Sequence, residues 1–254
     1  MCKVCTKEYN ENTTELRCCS NVTEIPILPK LKLLDCYNTK IKRIPILVTL
    51  EILNCSHTKI TKIPILPKLI YLNCGKTLIT EIPILITLKG LYCWNTKVIE
   101  IPILDKLEKL YCYNTKIKKI PILPKLKELD CHETEITQIP ILPNLKELYC
   151  YDTKIKKIPI LPELKFLYCS NTQITEIPII PNLKELFCSH TLITKLPNIK
   201  NCFMSSHCKW LNPNTELLNK IIIIQKLIKQ QIKKRVQMIH NTMQTHADLV
   251  RVLN

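Results

Sequence analysis

Nine cysteines recur at one spacing: Cys36, Cys55, Cys74, Cys93, Cys112, Cys131, Cys150, Cys169 and Cys188, each 19 residues after the one before. A thiol can ligate a soft metal, join a disulfide or act as a nucleophile, and each role makes a geometric demand. Zinc needs four ligands converging on one point, whereas one cysteine per parallel strand, with strands ~4.8 Å apart, makes a file. Successive Cα atoms of such a file lie within reach of a disulfide, but in-register side chains point the same way. A nucleophile needs a thiolate beside a base, and these cysteines share a face with core leucines. The ladder is therefore expected to be structural, with cysteine acting as a small buried hydrophobe.

Other candidates for chemistry are sparse. At the N-terminus, Cys2 and Cys5 are spaced C-x-x-C, but Cys18 and Cys19 are adjacent rather than spaced, which departs from a four-cysteine zinc pattern. Cys202, His207 and Cys208 belong to the opposite end of the chain and cannot complete the same site. Asp130, His132 and Glu133 offer an acid and a base, yet nothing nearby supplies a nucleophile or an oxyanion hole. They are read as polar contacts. With only two glycines, Gly75 and Gly90, the chain lacks the material for a phosphate-binding loop or a dinucleotide turn. The expectation is no catalytic residue, no metal, no cofactor and no small-molecule substrate.

The elements behind these residues follow from the period. Three residues after each ladder cysteine stands a threonine, from Thr39 to Thr191, and a proline stands six residues after each of these, from Pro45 to Pro197. The unit reads L-x-x-L-x-C-x-x-T-x-I-x-x-I-P-I-L-P-x. Nine copies run from Leu31 to about Asn201, and a shortened copy, LRCCSNVTEIPILP, starts at Leu16 with one residue deleted between Cys18 and Val22. In L-x-C the leucine and cysteine leave one face of a strand. One unit of 19 residues cannot bury that face alone, so units must stack, each adding a parallel strand. The I-P-I-L-P return is expected to be extended or polyproline-like, because proline fixes φ and removes a donor.

This unit resembles the leucine-rich repeat family, whose pattern is L-x-x-L-x-L-x-x-N-x-L, with cysteine in place of the third leucine and threonine in place of the asparagine. The resemblance covers residues 16–201. The cysteine-threonine version, the I-P-I-L-P tail and the basic C-terminus are similar in style to leucine-rich repeat proteins of giant DNA viruses of amoebae. The resemblance implies a repeat solenoid, a leucine-rich repeat horseshoe with parallel β-strands on its concave face. Residues 1–15 would form an N-terminal cap, 202–212 a C-terminal cap and 213–254 a basic amphipathic α-helical tail. The threonine would take over part of the family asparagine's role in satisfying backbone groups of the turn. A single inward threonine per repeat does not make the flat exposed array that ice binding uses.

With leucine and cysteine pointing in, their neighbours point out and form columns on the concave face. The column before the cysteine reads Asp35, Asn54, Asn73, Tyr92, Tyr111, Asp130, Tyr149, Tyr168, Phe187. The column after it reads Tyr37, Ser56, Gly75, Trp94, Tyr113, His132, Tyr151, Ser170, Ser189. A third contains Tyr71, Phe166 and the acids Glu128, Glu147 and Glu185. Apart from Tyr9, Phe203 and Trp210, every aromatic residue of the chain falls in these columns. The core does not need them, and aromatic side chains are favoured at protein interfaces. The expected partner-binding residues are Tyr92, Trp94, Tyr111, Tyr113, Asp130, His132, Tyr149, Tyr151, Tyr168 and Phe187.

The formal charge is +16, from 37 basic and 21 acidic residues. Lysines gather on the turn side, as in K-I-K-R at 40–43 and T-K-I-K-K at 115–119, with Glu81, Glu100 and Glu176 at equivalent positions elsewhere. That mixture reads as a solvated rim, with nucleic acid or an anionic membrane, engaged through this edge and the basic tail, as the alternative partner. The N-terminus MCKVCTKEYNENTTELRCC has no apolar core, so no secretory signal is expected. No apolar run reaches the ~18 residues of a membrane span. Unpaired cysteines then point to a reducing, cytoplasmic setting, the host cytoplasm for a viral protein. Bacterial repeat effectors that act as ubiquitin ligases add a separate catalytic domain, and too few residues follow the repeats here for one. The expectation is a non-enzymatic protein-interaction scaffold.

Overall fold

The computed structural model describes residues 2–194, together with 196–197, 203–204, 210–211, 227–228, 230–231 and 234. The amphipathic helix expected over 213–254 therefore lies outside the described residues, apart from helical backbone at 227–228, 230–231 and 234. Most of the expected cap at 202–212 also lies outside them.

A short helix, α1 (Lys3–Thr6), precedes a run of three-residue strands, one per repeat. These are β1 (Glu15–Arg17), β2 (Leu33–Asp35), β3 (Ile52–Asn54), β4 (Tyr71–Asn73), β5 (Gly90–Tyr92), β6 (Lys109–Tyr111), β7 (Glu128–Asp130), β8 (Glu147–Tyr149), β9 (Phe166–Tyr168) and β10 (Glu185–Phe187). They join in chain order into one parallel sheet, which β12 (Phe203–Met204) extends beside β10. A separate pair is formed by β11 (Leu196–Pro197) and β13 (Trp210–Leu211). Register follows the sequence period: Leu91 faces Leu110, and Tyr92 faces Tyr111.

In each full repeat six apolar side chains turn inward. In the repeat of β6 they are Leu107, Leu110, Cys112, Ile117, Ile120 and Leu123, all buried. Stacking these sets makes one continuous core from Leu16 to Cys188. No strand could bury its apolar face alone, and each becomes stable by covering its neighbour.

Beyond the strand the chain turns through a residue with positive φ, two positions after each ladder cysteine: Asn38, His57, Lys76, Asn95, Asn114, Glu133, Asp152, Asn171 and His190. Neither glycine is used there. Asparagine and aspartate tolerate this left-handed conformation better than other non-glycine residues. The next residue is the ladder threonine, whose hydroxyl donates to the carbonyl of the cysteine three residues back, at 2.6 Å for Thr115 and Cys112 and 2.8 Å for Thr39 and Cys36. From Thr39 to Thr172 these threonines are buried, so each hydroxyl closes a turn that water does not reach.

The return segments carry neither helix nor strand. Their two isoleucines differ in role. Ile120 faces the core and Ile122, just past Pro121, faces solvent. The same outward position is exposed at Ile27, Ile46, Ile65, Ile84, Ile103 and Ile141. Between repeats the return is tied by side chains that reach back to proline carbonyls, as Asn144 does to Pro124 and Asn182 to Pro162. No helix of the described residues is long and apolar enough to cross a membrane.

Candidate functional site

Alternation along each three-residue strand puts the middle leucine inside and its two neighbours on the outer face of the sheet. Because every strand pairs in the same register, outward side chains meet their equivalents ~4.8 Å away, close to the spacing of stacked rings. The sequence therefore turns a recurring aromatic into a stack.

The column after the cysteine forms the longest run. Trp94 stacks on Tyr113 with ring centres 5.6 Å apart and planes at 6°. Tyr113 lies 4.4 Å from His132, and His132 lies 4.3 Å from Tyr151. At the other end, His57 meets Trp94 and Tyr37 edge-on. In the column before the cysteine, Tyr92 stacks on Tyr111 at 4.8 Å, and Tyr149, Tyr168 and Phe187 form a second run at 4.7 and 4.6 Å. Asp130 separates these two runs.

All ten sequence-predicted residues lie on this face, and each is partly buried rather than fully exposed. Their ring faces are covered by one another, which leaves edges and polar tips toward solvent. Those tips are anchored. Tyr111 donates to Glu128 at 2.8 Å, Tyr168 to Glu185 at 2.9 Å and Tyr149 to Glu147 at 3.4 Å. Lys109 pairs with Glu128 at 2.9 Å. Partial burial, followed by the neighbouring carboxylate, pushes the Tyr111 phenol up, and burial with Glu147 pushes Tyr149 up to about 12. The phenols stay protonated donors.

Asp130 and His132 do meet, with Oδ1 and Nδ1 2.6 Å apart. The imidazole is clamped between Tyr113 and Tyr151, however, so the pair acts as one layer of the stack. The sequence reads His132 as a polar contact; its ring also continues the aromatic column.

Three contributors were missed. Gly75 lies under Trp94, where an added Cβ would stand 2.3 Å from the indole. Gly90 lies under Tyr71, where the corresponding distance is 2.5 Å. His57 joins the stack from a turn. The available signal was the placement of the chain's two glycines within aromatic columns.

The ladder cysteines from Cys36 to Cys169 are buried free thiols. Burial pushes Cys55 and Cys93 up to about 12 and holds Cys112 well above the ordinary thiol range, so none is an activated nucleophile. At the entry to the strands Lys32 pairs with Glu51, and on the turn edge Lys118 pairs with Glu135. At the N-terminal repeats that edge holds an open groove lined by Asn38, Lys40, Lys42, Arg43, Lys59 and Glu24 among others.

Comparison with known proteins agrees with the repeat architecture. Residues 105–144, 124–163, 143–181 and 162–201 match the model for leucine-rich repeats (two copies). No curated protein matches the chain. The functional domain of InlJ from Listeria monocytogenes, which includes a cysteine ladder, is 27% identical with a TM-score of 0.67, over 73% of this chain and 48% of that one. A leucine-rich repeat protein of Leptospira interrogans is 25% identical with a TM-score of 0.63, over 70% and 55%. YopM, a leucine-rich effector protein from Yersinia pestis, is similar in fold, at 23% identity and a TM-score of 0.67 over 75% and 59%. The chain spans about half the length of the first two solved chains. Proteins of this fold are commonly non-enzymatic interaction scaffolds. Residues 105–201 thus carry matched leucine-rich repeats, within a parallel solenoid similar to those of the solved repeat proteins.

Proposed function

We propose that the chain is a non-enzymatic scaffold that binds a protein partner on the concave face of its sheet, through the aromatic columns. The supporting observation is the four-layer stack of Trp94, Tyr113, His132 and Tyr151 beside the runs Tyr92–Tyr111 and Tyr149–Tyr168–Phe187. The core is already filled by leucine, isoleucine and cysteine, so these rings are not required to fill it. A stacked ring is also immobilised before binding, which lowers the entropy lost when a partner docks. The Tyr-Glu pairs fix carboxylate acceptors beside the rings, which suits a partner segment presenting arginine side chains.

The test compares proteins captured from native cells by the wild-type chain and by a variant carrying Tyr92→Ser, Trp94→Ser, Tyr111→Ser and Tyr113→Ser. A partner held by the wild type and lost by the variant, with the fold retained by circular dichroism, supports the reading. Identical capture by both would reject it.

A further inference from the structure

The N-terminal thiols present a geometry that the interaction surface does not use. The Sγ atoms of Cys2, Cys5 and Cys19 lie at the corners of a nearly equilateral triangle: 3.6 Å from Cys2 to Cys5, 3.4 Å from Cys2 to Cys19 and 3.3 Å from Cys5 to Cys19. A disulfide would bring two of them to about 2.05 Å and strand the third. Three thiolates bound to one zinc at Zn–S of about 2.3 Å stand about 3.8 Å apart, as one face of a tetrahedron. A shift of a few tenths of an ångström separates the observed triangle from that face. Among the described residues this is the one cluster of at least three potential ligands whose donor atoms all lie within 4.8 Å of one another.

The fold also explains why an adjacent pair yields only one ligand. Leu16 of β1 pairs with Leu34 of β2, so Cys18 stands in the same register as Cys36 and continues the inward ladder. Cys19, the next residue, occupies the outward position that Tyr37 fills one repeat later. Cys2 and Cys5 come from the other side of the cluster, at the two ends of a single helical turn in and beside α1. That helix has four residues and buries none of them, far fewer than a helix needs to persist alone. Cys2, Val4, Tyr9 and Cys19 pack only partly against the first rung of the core. A metal joining α1 to the end of β1 would supply the missing cross-link.

We propose that Cys2, Cys5 and Cys19 bind a zinc ion that staples the N-terminal cap to the first repeat, with the fourth coordination position open to solvent. The test loads the reduced full-length chain with one equivalent of Zn²⁺, desalts it and measures retained metal, with Cys202→Ser and Cys208→Ser in the background to remove the thiols at the opposite end. One zinc per chain is expected. Cys5 is exposed, so Cys5→Ser removes a ligand without disturbing packing; it and Cys19→Ser are each expected to lose the metal while keeping the wild-type circular dichroism spectrum. Cys18→Ser is expected to retain it. Co²⁺ substitution is expected to give a tetrahedral spectrum with thiolate charge transfer, which Cys5→Ser abolishes. Zinc is further expected to raise the melting temperature of the parent chain and not that of Cys19→Ser. No retained zinc, retention unchanged in Cys5→Ser, or loss of zinc in folded Cys18→Ser would each overturn the assignment.

Discussion

The indole of Trp94 occupies the space that a side chain at Gly75 would fill: a Cβ there would stand 2.3 Å from Cε2 of the ring. Strand register puts position 75 one repeat behind position 94, so the glycine is the floor of the stack.

Gly75→Ala is accordingly expected to displace Trp94 while leaving the core intact. In a Trp210→Phe background, the remaining tryptophan emission should shift to longer wavelength, as the indole leaves its neighbours for water. An unchanged emission maximum would mean that the ring tolerates the methyl group where it lies.

His132 carries two ring contacts, to Tyr113 and Tyr151. With aromatic pairs contributing about 0.5–1.5 kcal/mol each, His132→Ala is expected to destabilise the chain by about 1–3 kcal/mol. His132→Phe keeps the stack and should cost less. Urea denaturation of both variants checks the order.

The ladder threonines make a sharper prediction. Thr115 donates to the Cys112 carbonyl from a buried position. Thr115→Val preserves shape and removes the donor, which is expected to cost about 1–3 kcal/mol. Thr115→Ser keeps the hydroxyl and should be milder. Equal losses for the two would show that the methyl group, not the hydrogen bond, is what the turn needs.

Glu133 holds φ at 51° where five other repeats place asparagine or aspartate. The left-handed conformation costs a non-glycine residue about 1–2 kcal/mol, against about 0.5–1 kcal/mol for the greater freedom of glycine in the unfolded chain. Glu133→Gly is expected to stabilise the protein by about 0.5–1 kcal/mol, read as a higher urea midpoint.

Thiol chemistry should divide the cysteines by position. Alkylation mapped by mass spectrometry is expected to modify exposed Cys5 in the native protein and to spare Cys112, which is buried with its thiol held well above the ordinary range. Labelling of Cys112 should appear only with global unfolding.

These residues also mark how far the sequence could be read. Leu110, Cys112 and Thr115 were legible because a strict period in a parallel stack forces equivalent residues into equivalent environments, so one strand decided all of them. The outward columns were legible for the same reason. Ile120 and Ile122 were not separable, because both flank Pro121 and only the path of the return turn decides which one faces the core. The left-handed turn was obscured where His57, Lys76, Glu133 and His190 occupy it in place of asparagine or aspartate. His132 was legible as a member of its column, but not as a stacked ring, because a histidine there reads equally well as a polar contact. Cys18 and Cys19 were hard to apportion because the deleted residue between Cys18 and Val22 breaks the period where it was needed.

The central claim is that the aromatic face, and not another surface, meets the partner. The most direct measurement is the dissociation constant of a purified captured partner for three proteins: the wild type, the Tyr92→Ser, Trp94→Ser, Tyr111→Ser, Tyr113→Ser variant, and an Ile46→Ser, Ile122→Ser control on the return side. A hot-spot cluster predicts at least about a 30-fold loss for the first variant and no change for the control. Undiminished affinity in the folded aromatic variant, or a loss confined to the return-side control, would contradict it.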